Sequence, residues 1–170
     1  MPNTEGFKEH GNHVVVSAHA YPSTGAAYGA GDLVGTKMSF TDILVNDMGG
    51  AAIKSVQVVD KGKQVKALDL ILFNENLASN TGAGTIWATG DNTALVVADS
   101  DLLNAVALVS VGTGDYSAFS ANAIAVVTTD LPIYIRSGRG LYGLLVARGT
   151  PTYTSTDDLV VSLGVALDSN

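Results

Sequence analysis

The sequence predicts an all-β protein: an antiparallel β-sandwich of jelly-roll-like order with at most one short helix. Three observations carry this expectation. Apolar and polar residues alternate with a period of two in several short segments, Gly- and Asn-rich turns separate those segments, and only one short stretch reads as helix. Strands so closely spaced fit a sandwich or barrel better than alternating βα units.

Residues 1–12 (MPNTEGFKEHGN) are polar, carry Gly and Pro and show no periodicity, so they read as an extended N-terminal arm. Residues 13–170 then form one sandwich domain, since no low-complexity linker divides them. In the first strand Val14, Val16, Ala18 and Ala20 alternate with His13, Val15, Ser17 and His19. Tyr21 to Asp32 is a loop, and Val34, Met38 and Phe40 share one face of the next strand. Further strands are expected near 51–60, 66–73, 105–111, 122–129, 131–136 and 140–148. Turns fall at 49–50 (GG), 61–63 (KGK), 79–84 (SNTGAG), 112–114 (GTG) and 137–140 (SGRG). The clearest strand is the last, where Leu159, Val161, Leu163, Val165 and Leu167 make one uniformly large apolar face. The one helix expected lies near 99–107, with Ser100 as cap, Asp101 in the first turn and Leu102, Leu103 and Val106 as its apolar stripe.

Composition limits the function. The chain has 170 residues, 46% hydrophobic and only 15% charged, so it is long enough to bury a core of its own. There is no cysteine, hence no thiolate nucleophile and no disulfide. From Ala67 to Ile135 there is no Lys, Arg or His, yet seven carboxylates occur there. All six Lys lie at or before Lys66, the three His are His10, His13 and His19, and the three Arg are Arg136, Arg139 and Arg148. The centre of the chain thus lacks the common general bases and phosphate-binding cations. A net charge of −7 disfavours nucleic acid as a partner, because such binding releases counterions through clustered Lys and Arg. That charge belongs to residues 67–170, while residues 1–66 hold six acids and six bases. No apolar run has the ~20 residues of a membrane span, and the start lacks the features of a secretory signal. The expectation is therefore no membrane partner and synthesis in a cytoplasm.

Several constellations are weighed on their chemistry. Gly138, Gly140 and Gly143 form a literal G-x-G-x-x-G, but a dinucleotide fold needs a helix next, and only LLVAR precedes Gly149-Thr150-Pro151. A hairpin turn accounts for these glycines better. His13 and His19 share a strand face and could reach a metal with His10, but a fourth ligand and supporting partners are lacking. Asp91, Asn92, Asp99 and Asp101 are an oxygen-rich run of the kind Ca²⁺ favours, though their spacing misses the EF-hand and capping explains Asp99 and Asp101. A glycosidase needs two placed carboxylates, yet of the three Glu two, Glu5 and Glu9, sit in the arm. A serine hydrolase needs a His base and a G-x-S-x-G, and neither suits this chain. Asp69, within the apolar ALDLILF, must face solvent or be paired, and an Arg from a neighbouring subunit is the expected partner. No catalytic residue, cofactor or metal site is expected. The residues singled out for an interface are Phe7, His13, His19 and Asp69.

ALDLILF at 67–73, DNTALVVADSDLL at 91–103, GDYSAF at 114–119 and LYGLLVARGTPTYTSTDDLVVSLGVALD at 141–168 together resemble small virion proteins encoded among the head genes of tailed bacteriophages. The resemblance runs loosely from about Gly31 to Asp168, and its C-terminal third is the most specific part. It implies a non-enzymatic head decoration, or cement, protein on the capsid exterior, made in the bacterial cytoplasm. Its partners would be the major capsid protein and itself, with a homotrimer favoured over a dimer. The alternative is a tail or host-attachment protein binding a cell-surface glycan. That reading is weakened by a single Trp, Trp87, and six scattered Tyr where exposed aromatic platforms are needed.

Overall fold

The computed structural model describes residues 13–44, 49–75, 90–97, 99–135 and 140–167. In chain order the elements are β1 (His13–His19), β2 (Leu33–Phe40), β3 (Gly49–Asp60), β4 (Leu68–Phe73), α1 (Asp99–Leu102), β5 (Ala105–Val111), β6 (Tyr116–Ala118), β7 (Ala123–Ile135), β8 (Leu141–Ala147) and β9 (Leu159–Leu167). Sheet I has the order β1-β9-β3-β7-β6 and sheet II the order β2-β8-β4-β5, with every pairing antiparallel. The protein is an all-β sandwich, as the period-2 alternation predicts.

The alternation becomes the core directly. Leu159, Val161, Leu163 and Val165 of β9 meet Ile53, Val56 and Val58 of β3 on the inner side of sheet I. Leu68, Leu70 and Leu72 of β4, with Met38, Phe40 and Leu145, line the inner side of sheet II. At one end Tyr28 and Tyr153 close the core edge to face, their ring centres 5.9 Å apart.

Three expectations change. The strands expected at 122–129 and 131–136 are one strand, β7. Pro132 interrupts nothing, because β6 pairs only with Ala123–Ala125 and leaves the rest of that edge of β7 without a neighbour. The helix expected over 99–107 stops at Leu102, since from Ala105 the chain joins β4 as β5; the side chain of Ser100, its expected cap, is outside the described set. Finally, Gly140 and Gly143 do not belong to a hairpin, because β7 and β8 lie in different sheets. They give Phe40 room: a Cβ at Gly143 would stand 2.9 Å from the Phe40 ring, and one at Gly140 2.2 Å from its carbonyl oxygen. That close packing explains Gly140 and Gly143, and Gly138 lies outside the described residues.

The facing of β9 sets a measurable ranking. Leu163→Ala removes a fully buried side chain and is expected to cost about 2–5 kcal/mol. Ser162→Ala loses the 2.8 Å hydroxyl contact with Ser17 across β1 and should cost about 0.5–1.5 kcal/mol. Urea unfolding of the two variants compares them, and the reverse ranking means a register slip of one residue.

Candidate interaction surface

The two outer faces of the sandwich differ. On sheet I the outward side chains follow from the register: His13, Val15, Ser17 and His19 on β1, and Val160, Ser162, Gly164 and Ala166 on β9. Ala52, Ser55, Gln57 and Val59 follow on β3, then Ile124, Val126, Thr128 and Pro132 on β7. Val15 is 74% exposed, Val126 53% and Tyr134, near the end of β7, 55%. The register shifts between Ile53 and Ser55, where the Thr129 hydroxyl donates to the Ile53 carbonyl and Lys54 is turned outward. Lys54 Nζ lies 2.5 Å from Asp130 Oδ1. Those are the sole formal charges on this face among the described residues of its four longer strands, and they cancel.

The outer face of sheet II is covered instead. Leu33, Phe73 and Leu144 are buried there beneath Leu95 and Val97 of the β4–β5 connection. Backbone bonds from Leu33 N–H to Thr93 O, Asn92 N–H to Leu33 O and Leu95 N–H to Gly31 O seat this segment beside β2. Asp91 then locks it: its Oδ1 accepts from Gly35 N–H at 2.5 Å and Tyr28 O–H at 2.7 Å, and its Oδ2 from Ser23 N–H at 2.7 Å. Gly35 has φ +75, and a Cβ there would stand 1.8 Å from Ala20 O, so only glycine allows this bulge. Burial, together with its bond to Asp91, pushes the Tyr28 hydroxyl up to about 12. Val96, Leu102, Leu103 (84% exposed) and Leu108 project from the same side, on the connection and on β5.

A second carboxylate shapes the end of β3. Asp60 is 1% exposed, and its Oδ2 accepts the Val65 N–H at 2.8 Å. This bond supports a loop in which Lys63 and Val65 both have positive φ, which is costly for a β-branched residue. Asp60 Oδ1 and the Tyr116 hydroxyl are buried without hydrogen-bond partners. Burial, then the nearby Asp158 carboxylate, holds the Asp60 carboxyl above its ordinary range. Asp158 is itself satisfied, its Oδ2 accepting from Thr154 N–H at 2.9 Å and Ser155 N–H at 3.0 Å.

The residues singled out from sequence do not form one site. Phe7 lies outside the described residues. His13 and His19 do share the outer face of sheet I, but six strand residues separate them by about 20 Å, too far to ligate one ion. His19 stacks on Tyr21 with ring centres 5.4 Å apart, and its Nδ1 is 3.8 Å from Asp157 Oδ1. Asp69 sits on the other sheet, 7% exposed. Its partner is Arg148 of the same chain, Nε to Oδ2 at 2.5 Å, and not an arginine from a neighbouring subunit. Asp69 pairs in register with Val146 on β8, so the strand pairing delivers Arg148 to it just past the end of β8. Among the described residues no three His, Asp or Glu gather as a metal site. In the run considered for Ca²⁺, Asp91 is committed to the three donors above and Asp101 is buried. Sequence reasoning missed Val126, Tyr134 and the Lys54–Asp130 pair, whose common face appears only once β7 is known to pair with β3.

No protein-family model and no curated protein sequence matches the chain. Among the described residues no helix is long and apolar enough to cross a membrane.

Two of the buried carboxylates, Asp60 and Asp69, give opposite predictions. The raised folded-state pKa of Asp60 disfavours its ionised form, so stability is lost as pH rises from the unfolded-state value through the folded one. Asp60→Asn keeps an oxygen for Val65 N–H and removes the charge. It should stabilise the protein near pH 7, because the charge that burial disfavours is gone. That gain should vanish toward about pH 3, where Asp60 is protonated in both states. Thermal melts at both pH values test this. Arg148→Met leaves the Asp69 carboxylate buried and unpaired, so it should destabilise by about 1–3 kcal/mol. Pairing it with Asp69→Leu should recover part of that loss in the same melts.

Proposed function

We propose that the protein is a non-enzymatic virion protein of a tailed bacteriophage, a decoration protein that associates with itself and binds the major capsid protein on the outside of the head. The observation that carries this reading is the presence, among the described residues, of two separate uncovered surfaces on one sandwich. One is the outer face of sheet I, whose described charges cancel. The other is the set of exposed apolar side chains Val96, Leu102, Leu103 and Leu108 on the sheet II side. A decoration protein needs two contacts, one to its own copies and one to the lattice, and scattered exposed apolar groups gain meaning when they cluster by side.

The strand order supports the same reading. β1 pairs with β9, β2 with β8, β3 with β7 and β4 with β5, a nested order that we read as a jelly roll with β6 added at one edge. Jelly rolls recur in capsid proteins. The resemblance of residues 67–73, 91–103, 114–119 and 141–168 to phage head-gene products adds to it. So does the chemistry: Asp60, Asp91, Asp158 and Asp69 are bound to backbone amides, hydroxyls or cations of their own chain.

The experiment is co-sedimentation of the purified protein with undecorated heads, followed by electron microscopy. Saturable binding to the head surface is expected. Leu103→Asp should weaken it about ten-fold, as expected when a charge enters an apolar contact, with the melting temperature unchanged. Labelling of tails, or binding to host-surface glycan with bare heads, would replace this function with host attachment.

A further inference from the structure

We propose that the outer face of sheet I is the self-association surface. A second copy of this chain docks on it face to face, about a two-fold axis running between β9 and β3. Each copy's β1 then lies over its partner's β7, with Val15 and the partner's Val126 in adjacent rows. This gives a surface and a symmetry to the self-association in the function proposed above, but it concerns the protein in solution and does not need the head.

The first argument is charge. The chain carries −7, so two copies repel each other over most approaches. On this face the described charges are Lys54 and Asp130, and they already neutralise each other at 2.5 Å. Among the described residues of the four longer strands a second copy therefore meets no uncompensated like charge, and Asp157 stands beside His19 at the edge. An interface centre depleted of charge is what protein partners favour over solvent.

The second argument is shape. The middle of the face is low toward one end, while Gln57, Val59 and Val160 occupy the other. Gly164, Ser162 and Ala166 of β9 lie beside Ser55 and Ala52 of β3, and at Gly164 even a Cβ would come 2.4 Å from Ser55 Oγ. The high points stand on the flanks: Val15 on β1 at one side, Val126 on β7 at the other. A two-fold axis along the low strip superposes one copy's β1 on the other's β7. Each flank of one copy then fills the space beside the low strip of its partner. Val15 lies in the row of Gly164 and Ser55, and Val126 in the next row with Gln57 and Ser162, an offset of about 7 Å along the strand. The crossing of about 30° between packed sheets takes up part of that offset. A two-fold contact is isologous, so the arrangement closes at a dimer.

The third argument is size. Four strands of seven to thirteen residues present roughly 450–800 Å² in plan. That reaches only the lower end of the roughly 800 Å² per partner of a standard stable interface. The dimer should accordingly dissociate at concentrations on the order of micromolar.

Sedimentation velocity of the purified full-length chain, across a dilution series at fixed salt, tests this. The wild type should pass from monomer to dimer. Val15→Asp and Val126→Asp each place a charge in the contact and should raise Kd at least about ten-fold. Both side chains are more than half exposed in the single chain, so the melting temperatures should hold. The double variant Val15→Lys with Val126→Asp sets opposite charges in adjacent rows twice and should regain the dimer relative to either single change. Leu103→Asp, on the other side of the molecule, should leave association unchanged. A wild type that stays monomeric at all concentrations, or a dimer lost by Leu103→Asp and kept by the sheet I variants, overturns the surface. A double variant no better than the singles, or a trimer in place of a dimer, overturns the two-fold arrangement. Head binding is read separately by co-sedimentation, so failure of this dimer and failure of the decoration reading are distinct results.

Discussion

The fold depends on the pairing of the last strand with the first and the third. β9 lies between β1 and β3, with Val165 in register with Val14 on one side and Ile53 on the other. Its inward residues, Leu159, Val161, Leu163 and Val165, are fully buried. The first and last described strands are thereby paired at one side of sheet I, and the core stays open until β9 arrives. Contacts this distant in sequence carry the loop-closure cost that makes all-β sandwiches slow to form. Truncation within β9 removes the wall of the core as well as one strand.

Aspartates spread along the described chain share a structural role. Asp32, Asp60, Asp91, Asp115 and Asp158 each accept a backbone N–H, from Gly29, Val65, Ser23, Gly112 and Thr154 respectively. A carboxylate is the strongest side-chain acceptor for an amide, and loops that turn between two sheets leave many amides unpaired. Aspartate therefore substitutes for the ladder partner that a loop lacks. The excess of acid over base measures how much of this sandwich is connection, and it requires no catalytic site.

Covering one sheet and leaving the other bare follows from where the long connections run. Between β4 and β5 the chain returns over sheet II, drawn by Phe73, Leu144 and Leu33 and fastened through Asp91. Nothing comparable crosses sheet I among the described residues, and there the side chains are small or half-apolar with their charge cancelled. A surface of that kind is inexpensive to desolvate, because no isolated ion must leave water. The asymmetry of the two faces would give the molecule a direction in the assembly proposed above.

Most of the strands were legible in the sequence because a half-buried strand must alternate, and β9 shows this most clearly in its uniformly large apolar inward face. The inward stripe of β9 follows from that period alone. The Asp69 requirement for a partner was legible too, since a carboxylate amid Leu and Ile has to be paired. That the partner is Arg148 was not, because 79 residues separate the two and only the register of β4 against β8 brings them together. The glycines at 140 and 143 look like a ligand loop in one dimension; three-dimensional packing shows that they accommodate Phe40. His13 and His19 share a face, as their spacing says, but strand rise sets them too far apart to act together. Local sequence determines which side of a strand is apolar, because that depends on a two-residue period. Which strands become neighbours, and hence which exposed residues make one surface, depends on pairings far apart in the chain, and the tertiary structure alone decides it.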